Sequence, residues 1–344
     1  MKIGITYNLK DDPFFAGLSN KENSEEFDSI ETIHAISNVF KKNGFEVVEL
    51  GGNLDIVEKL KKEKVFFVFN IAEGYYGRNR ESTIPSILEM LNTPYSGSDP
   101  LTLGLALDKV ASKKILQYAK VQTPSYWVIK KEEDLLDVEC RLRFPMITKP
   151  AWEGSSKGIY DSSKVFDKEG LVKSIKTLLK KYPKQPILVE EYIKGREITA
   201  AVIGNEKPEI LGLMEMVNKD KAKDDFFYSL ETKRNWEDLV EYKSPPELPQ
   251  ALELRIKRQA IVAFKEFGCR DIARIDFKVS EYNEPFVLEI NPLPGLSPKY
   301  GDLVIMAKMN NIGHEELVLK ILNAAFSRYN IKNIAPKPSE ACGI

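Results

Sequence analysis

Two short charged motifs lie near the C-terminal end of the chain, Arg-Ile-Asp at 274–276 and Glu-Ile-Asn at 289–291. On strands, Arg274 and Asp276 would share one face, as would Glu289 and Asn291, because side chains two residues apart point the same way. If the strands pair, two carboxylates, an amide oxygen and a guanidinium gather on one face. Such oxygen donors suit Mg²⁺ shared with substrate phosphates, and the arginine suits an anionic transition state. The alternative is an exposed charged face of a half-buried sheet.

A second motif begins at Lys149 and continues into a loop of small residues at 152–158. A lysine at a strand end, followed by Gly and Ser, offers N–H groups and hydroxyls to phosphate oxygens. A simple hairpin turn would have the same composition. A third and weaker motif is Glu-Glu-Tyr-Ile at 190–193 followed by Glu197, whose carboxylate could bind vicinal hydroxyls.

The composition limits the classes of function that these motifs can serve. The length of 344 residues predicts two or three domains, and the 43% of hydrophobic residues are enough to form buried cores. Fifty basic against 51 acidic residues argue against binding of nucleic acid or an anionic membrane. The three cysteines are far apart, the start does not read as a signal peptide, and no apolar run approaches a membrane span, so we expect a cytoplasmic protein without disulfides. Neither GxxxxGK[ST] nor GxGxxG occurs, so any phosphate must be bound in another way.

Residues 1–100 alternate between apolar strands and amphipathic helices. The strands are predicted at 2–7, 45–50 and 65–69, and the helices at 27–42, 54–62 and 84–91. Strands separated by helices indicate a parallel sheet covered on both faces. We therefore expect an N-terminal Rossmann-like α/β domain over 1–100.

The remaining chain mixes strands and helices, which gives an α/β (α+β) protein overall. A helix at 107–120, strands at 145–149 and 186–191 and a helix at 168–181 predict a central subdomain over 101–191. A C-terminal subdomain over 192–330 is predicted to contain strands at 197–203, 210–217, 270–279 and 285–291 and helices at 248–267 and 314–329. Residues 218–243 are charged without a clear period and read as a mobile loop, and 331–344 read as a tail.

Taken in order, the motifs resemble those of the ATP-grasp superfamily, and within it the D-alanine–D-alanine ligases. The likeness covers residues 65 to 325 and depends on Tyr-Ser-Gly-Ser at 95–98 with Asp-Lys at 108–109, Lys-Pro at 149–150 with Glu-Gly-Ser-Ser at 153–156, Glu190 with Glu197, and the two motifs at 274–276 and 289–295. The resemblance implies an ATP-grasp fold. It also implies a carboxylate–amine ligase that forms a peptide or amide bond between small amino-acid-type substrates through an acyl phosphate, releasing ADP and phosphate.

The resemblance also implies a role for each matching residue. Lys109 and Lys149 would hold ATP phosphates beneath a closing loop with Ser155 and Ser156, and Lys233 would reach the terminal phosphate. The base and ribose would contact Glu190, Tyr192, Ile193, Glu197, Phe227 and Leu288. Two Mg²⁺ ions, which Mn²⁺ could replace, would be bound by Asp276, Glu289 and Asn291. Arg274 would stabilise the oxyanion, so that the implied catalytic set is Arg274, Lys233 and Ser155. A homodimer through the first domain is also implied.

The amino-acid half of the family pattern is less well matched. Asp11 or Asp12 is the only substitute seen for an N-terminal glutamate, and Tyr300-Gly301 replaces a Ser-Leu pair. We therefore expect altered amino-acid or carboxylate substrates. The alternatives are a true D-alanine–D-alanine ligase of peptidoglycan synthesis and an ATP-binding protein without ligase activity. Arg78, Arg80 and Arg234 either bind an additional acidic group of a substrate or brace the lid and first domain, since guanidinium pairs well with carboxylate.

Overall fold

A computed structural model describes residues 1–12, 26–138, 141–220, 227–332 and 334. Its N-terminal part contains a parallel sheet in the order β2-β1-β3. The strands are β1 (Lys2–Thr6), β2 (Glu46–Glu49) and β3 (Phe67–Asn70), and the helices are α1 (Ile30–Lys42), α2 (Ile56–Glu63) and α3 (Thr83–Met90). The predicted parallel α/β arrangement is confirmed, with boundaries that differ by a few residues.

The helix predicted at 107–120 is present, and a further helix that was not predicted precedes it. The two helices are α4 (Pro100–Leu107) and α5 (Lys109–Tyr118), and Asp108 separates them. The Asp108 backbone is extended, and its side chain accepts hydrogen bonds from the N–H groups of Val110 and Ala111. Such an N-cap starts a new helix, so the predicted helix begins at Lys109 rather than at Leu107.

The central part is an antiparallel sheet in the order β4-β7-β5-β6, covered by one helix. The strands are β4 (Tyr126–Ile129), β5 (Met146–Pro150), β6 (Lys164–Val165) and β7 (Ile187–Glu191), and the helix is α6 (Lys168–Lys181). The edge strands β4 and β6 were not predicted, because each is too short to show an alternating pattern.

The C-terminal part is a five-stranded antiparallel sheet in the order β10-β9-β8-β11-β12. The strands are β8 (Gly195–Gly204), β9 (Glu209–Asn218), β10 (Val240–Lys243), β11 (Asp271–Ser280) and β12 (Pro285–Asn291). Helix α9 (Gln250–Glu266) packs on one face, while α10 (Asp302–Met309) and α11 (His314–Arg328) pack on the other. Helix α10 was missed by the sequence analysis.

The far side of α11 packs against the N-terminal sheet. The ring of Phe326 meets Phe67 edge-on, with centroids 4.9 Å apart. Near the end of the helix, Arg328 donates two hydrogen bonds, of 2.9 and 2.7 Å, to the buried Asp271 carboxylate at the start of β11. The C-terminal helix therefore shares one core with the first hundred residues, and the domain boundaries at 100 and 191 stay a prediction. Within the described ranges, no helix has the length and apolar character needed to cross a bilayer.

The segment 218–243, which was predicted to be a mobile loop, contains short regular elements. It contains α7 (Leu230–Arg234), α8 (Trp236–Leu239) and the edge strand β10, while residues 221–226 lie outside the described part of the chain. Ser229 caps α7 by accepting a hydrogen bond from the N–H of Thr232. Elements of four or five residues are too short to show a hydrophobic period, which explains why these were not predicted.

Strands β11 and β12 pair antiparallel, as the acidic motifs required. Arg274 lies opposite Asn291, and Asp276 lies opposite Glu289, just before a register shift between Asp276 and Phe277. Directly opposite residues in such a pair have Cβ atoms about 5 Å apart. The fold therefore brings the four polar side chains to one end of the strand pair.

Candidate active site

A cavity of about 490 Å³ opens between the central sheet and the β11–β12 pair. Every residue predicted to bind nucleotide or metal lines it: Lys109, Lys149, Ser155, Ser156, Glu190, Tyr192, Ile193, Glu197, Phe227, Lys233, Arg274, Asp276, Leu288, Glu289 and Asn291. Of the predicted substrate residues, Arg234, Tyr300 and Gly301 also line the cavity. The individual roles of all these residues stay predictions, but the sequence identified one connected site.

Arg274 is held by two carboxylates. Its guanidinium donates two hydrogen bonds of 3.0 Å to Asp276 and one of 3.0 Å to Asp302. The hydroxyl of Thr199 donates a further bond of 2.6 Å to Asp276. Burial alone would lower the pKa of Arg274, but the two carboxylates outweigh burial and raise the pKa. The arginine is therefore a fixed cation at the edge of the cavity.

Asp302 is a site residue that the sequence analysis missed. It is the first residue of α10, and its other oxygen accepts a hydrogen bond of 3.4 Å from the hydroxyl of Tyr242. The Tyr242 hydroxyl lies 3.5 Å from that of Tyr228. The only available signal was the position of Asp302 next to Gly301, in a stretch whose helix was not recognised.

Glu289 and Asn291 face the cavity from β12. The side chain of Glu289 is 37% exposed, and its carboxylate lies 3.9 Å from the ammonium of the buried Lys109. The Asn291 side-chain oxygen accepts a hydrogen bond of 3.0 Å from the N–H of Leu293, which orients the amide. Across the described residues, no group of three or more His, Cys, Asp or Glu side chains is placed to hold a metal ion. A cation here would need two carboxylates and the amide oxygen together.

Glu190 is buried between two lysines. Its carboxylate forms ion pairs with Lys149, which was predicted to belong to the site, and with Lys113, which was not. Burial alone would raise the pKa of Glu190, but the two ammonium groups outweigh burial and lower it. Burial lowers the pKa of Lys113 to about 8. Lys113 follows Lys109 by one helical turn, a spacing that places both on one face and could have revealed it.

Glu197 pairs with another unpredicted lysine. Its carboxylate accepts a hydrogen bond of 3.0 Å from the buried Lys278 and one of 3.3 Å from the N–H of Tyr228. Beside this pair, the rings of Tyr192 and Phe227 are almost perpendicular, at 78°, with centroids 6.2 Å apart. The two rings thus form a corner rather than the parallel faces of a sandwich.

The loop at 152–158 contacts the segment that carries Lys233. Ser155 and Ser156 both have positive φ angles, of 49° and 58°, a conformation that is uncommon for residues other than glycine. The Leu230 N–H donates a hydrogen bond of 2.9 Å to the carbonyl of Ile159, and the Ser156 hydroxyl lies 3.5 Å from the carbonyl of Tyr228. The small-residue loop and the segment after 227 therefore cover the cavity together.

The acidic residue that reaches this loop from the N-terminal part is Glu26. Its carboxylate accepts hydrogen bonds of 2.8 Å from the Gly154 N–H, 2.7 Å from Arg80 and 2.9 Å from Lys157. The predicted Asp11 is exposed and does not line the cavity. Glu26 was missed because it lies fifteen positions after Asp11, in a region without any motif.

Two of the three unassigned arginines are engaged in contacts within the protein. Arg80 also donates a hydrogen bond of 2.7 Å to the carbonyl of Trp152 and does not line the cavity. Arg78 forms an ion pair of 2.6 Å with Asp108. These contacts favour bracing over substrate binding for Arg78 and Arg80, whereas Arg234 lines the cavity.

Comparisons with known proteins agree with this geometry. A family model described as the C-terminus of D-ala D-ala ligase matches residues 111–323. The chain is 36% identical to a D-alanine–D-alanine ligase of Carboxydothermus hydrogenoformans over 94% of this chain and 97% of that protein. It is 32% identical to the enzyme of the same name from Pelotomaculum thermopropionicum, over 92% and 97%. The crystal structure of the Bacillus anthracis ligase complexed with ATP superposes with a TM-score of 0.73 at 27% identity, covering 96% of this chain and 99% of that one. The chain therefore belongs to the D-alanine–D-alanine ligase family, whose members are ATP-grasp carbon–nitrogen ligases.

Proposed function

We propose that this protein joins the carboxylate of one small amino acid to the amine of a second, using ATP and an acyl-phosphate intermediate. The observation that carries the proposal is the register of β11 and β12, which aligns Asp276 with Glu289 at the wall of a cavity that also contains Lys109 and Lys149. Cations and oxygen donors around one cavity are what phosphoryl transfer requires, because most of the catalytic work is positioning and charge neutralisation.

The oxygen donors of the strand pair fit Mg²⁺. Asp276, Glu289 and Asn291 provide two carboxylates and one amide oxygen, and Mg²⁺ prefers such ligands completed by water and substrate phosphates. The Glu289 side chain is more exposed than that of Asp276, at 37% against 15%. Bound Mg²⁺ would supply neutralisation of the triphosphate charge. Mn²⁺, with similar oxygen preference, would serve as a substitute in experiments.

Three lysines of the cavity would bind the phosphates. Lys109 and Lys149 line the cavity from α5 and β5, and Lys233 lines it from α7. The pKa of Lys233 is lowered by burial, which Asp302 partly opposes. The backbone N–H groups and hydroxyls at 155–156 would cover the phosphates. Glu190, Glu197 and the corner formed by Tyr192 and Phe227 are then left for the base and ribose, as the resemblance predicts.

The reaction proceeds in two balanced steps. A carboxylate oxygen of the first amino acid attacks the terminal phosphorus of ATP, the bond to the bridging oxygen breaks, and ADP leaves. The amine of the second amino acid then attacks the carbonyl carbon, loses a proton, and expels phosphate, which keeps one oxygen of the original carboxylate. Arg274, fixed by Asp276 and Asp302, would stabilise the negative oxygen of the tetrahedral intermediate. The loop at 152–158 and α7 would exclude water, which would otherwise hydrolyse the acyl phosphate.

The identity of the two amino acids is the open part of the proposal. The relatives are named for D-alanine, which supports a pair of D-alanines as the second candidate. We favour other substrates, because Tyr300-Gly301 replaces the Ser-Leu pair of the family pattern. Tyr300 lines the cavity, with the Lys10 ammonium 5.0 Å from its ring centroid. The homodimer stays a prediction.

The experiment follows oxygen atoms. The protein is incubated with ATP, Mg²⁺ and amino-acid pairs, one of them labelled with ¹⁸O in its carboxylate, and the released phosphate is analysed by mass spectrometry. Transfer of one ¹⁸O into phosphate, dependent on the second amino acid for turnover, is expected. Unlabelled phosphate would contradict the acyl-phosphate route. Efficient turnover with D-alanine alone would refute our preference for other substrates.

A further inference from the structure

One region of the cavity wall is unusually acidic. Four carboxylates of the N-terminal part line the cavity: Glu26, Asp28, Glu73 and Glu81. Among the described residues of the same part, one basic side chain, Lys10, also lines it. None of these four carboxylates belongs to the motifs that suggested nucleotide or metal binding. Their number exceeds what the nucleotide half of the site requires, so they point to the ligand that occupies this end.

Two of the four carboxylates have partners within the protein. Glu26 accepts hydrogen bonds from Arg80, Lys157 and the Gly154 N–H. Burial raises the pKa of Asp28 to about 7, while the charge of Lys10 and a hydrogen bond from Thr32 act against this rise. Glu26 is therefore fully paired, and Asp28 has one hydrogen-bond donor and one nearby cation.

Glu81 and Glu73 differ from these two. Within the described part of the chain, neither side chain forms a hydrogen bond or an ion pair with any residue, although Arg80 is adjacent to Glu81 in sequence. Glu81 is only 8% exposed and lines the cavity, and Glu73 is partly buried and lines it too. A buried carboxylate without a partner is costly, so both are in a position to gain from a cation.

The backbone fixes where the two carboxylates lie. Glu73 precedes Gly74, which has a φ of 70° and whose Cβ, if present, would lie 2.2 Å from the carbonyl oxygen of Arg80. This close approach brings the turn after β3 against the short 3₁₀ helix Arg80–Ser82, which carries Glu81. The two acidic side chains are therefore held near each other by a turn that requires glycine.

The electrostatics of the pair agree with this arrangement. Burial raises the pKa of Glu81 to about 7, and the charges of Arg80 and Glu26 act on it in opposite directions. Burial, together with the charge of Glu81, raises the pKa of Glu73 well above its usual range. Lys109, whose ammonium lies 3.9 Å from Glu289, is among the charges that act on Glu81. The acidic pair therefore lies close to the end of the cavity where phosphate transfer is proposed.

We propose that the amino acid bound at this end carries a cationic side chain in addition to its α-ammonium group, and that Glu73 and Glu81 bind these two positive charges. The inference rests on the proposed function, in which the carboxylate of the first amino acid attacks the terminal phosphate of the ATP that Lys109 helps to bind. A neutral amino acid brings one positive charge near its carboxylate, and that charge compensates one of the two glutamates. A diamino acid compensates both, and the chemical class is therefore a short basic amino acid.

The test compares isosteric substrates. Phosphate release with ATP and Mg²⁺ is measured for 2,4-diaminobutyrate against norvaline and for ornithine against norleucine, each as both enantiomers, with glutamate as the anionic control. The two members of each basic and neutral pair differ only in an ammonium that replaces a methyl group. We expect kcat/KM to be higher for the cationic member by at least about tenfold, since one buried charge pair is worth more than about 1.4 kcal/mol. Equal or better turnover of the neutral member would overturn the inference.

Variants of the two glutamates separate binding from folding. Glu81→Gln and Glu73→Gln should each lower kcat/KM for the basic substrate by about tenfold and change that for its neutral isostere by less than about threefold. The exposed Glu133→Gln is the matched control, because its side chain is 71% exposed. Glu73 is less buried than Glu81, so Glu73→Gln can still decide the test if Glu81→Gln unfolds. An unchanged ratio of kcat/KM between the basic substrate and its neutral isostere in a folded Glu73→Gln contradicts the proposal.

Failure of the proposed function would be visible separately. If no amino acid releases phosphate, the ligase proposal fails, and calorimetry with the same compounds then decides the inference. Binding of 2,4-diaminobutyrate at least about tenfold tighter than norvaline would support it. Equal affinities, or no heat from either compound, would overturn it.

Discussion

Glu26 connects the N-terminal part of the chain to the loop that covers the cavity, and Glu26→Gln tests this connection. The substitution keeps the size of the side chain and removes its charge. Four donor contacts are affected: the Gly154 N–H, two nitrogens of Arg80, and the Lys157 ammonium, at 2.7 to 3.2 Å. Because the side chain of Glu26 is only 4% exposed, water cannot hydrate the cations that lose their carboxylate partner.

The size of the effect follows from the pKa of Glu26. Burial alone would raise this pKa, but Arg80 and Lys157 outweigh burial and lower it from 4.5 to about 2. A carboxyl group whose pKa is lowered by that amount on folding stabilises the folded state by about 3 kcal/mol at neutral pH. The stabilisation is present above pH 4.5 and is lost as the pH falls toward 2. For a chain of 344 residues, about 3 kcal/mol corresponds to a melting temperature lower by about 4 °C.

Two measurements check this prediction. Thermal unfolding of the wild type and Glu26→Gln should differ by about 4 °C at pH 7 and converge as the pH falls from 4.5 toward 2. Phosphate release by the variant should fall by at least about tenfold, because the loop at 152–158 loses an anchor. Glu133→Gln, on the surface, should change neither quantity. An unaltered melting temperature and rate in Glu26→Gln would refute the reasoning.

Three further substitutions have defined outcomes. Glu289→Gln should reduce turnover by at least about a hundredfold while nucleotide affinity, followed by calorimetry, falls less, and retained turnover would exclude Glu289 from the metal site. Lys113→Met leaves Glu190 with one ammonium partner instead of two, so the melting temperature should fall by several degrees and the KM for ATP should rise about tenfold; an unchanged KM would separate Lys113 from nucleotide binding. Gly154→Ala would put a Cβ 2.4 Å from a Glu26 oxygen, so we expect the free energy of unfolding, measured with urea, to fall by about 1–3 kcal/mol. An unchanged free energy of unfolding would show that the Glu26 side chain moves aside without cost.

The sequence predicted those parts of the site that lie on long, regular strands. Alternation at 274–276 and 289–291 placed four polar residues on one face, and the observed register brings Asp276 opposite Glu289. The parallel N-terminal sheet was predictable for the same reason, since its strands and helices are long enough to show their periods.

The residues that were missed are those whose position depends on tertiary structure. Glu26 reaches the site from a segment without any motif, and Asp302 begins a helix that was not recognised. Lys113 and Lys278 are buried lysines whose carboxylate partners lie on other elements. A charged residue in a sequence is normally expected at the surface, because burial without a partner is costly. Only the three-dimensional arrangement supplies the partner.

The central claim is that the ends of β11 and β12 hold a metal-bound triphosphate. Binding of Mn²⁺ to the wild type and to Glu289→Gln, measured by electron paramagnetic resonance with a nonhydrolysable ATP analogue, tests it most directly. We predict about two Mn²⁺ ions per wild-type chain that depend on the analogue, and loss of at least one in Glu289→Gln. Binding of Mn²⁺ that is unaffected by Glu289→Gln, or no nucleotide-dependent binding in the wild type, would contradict the claim.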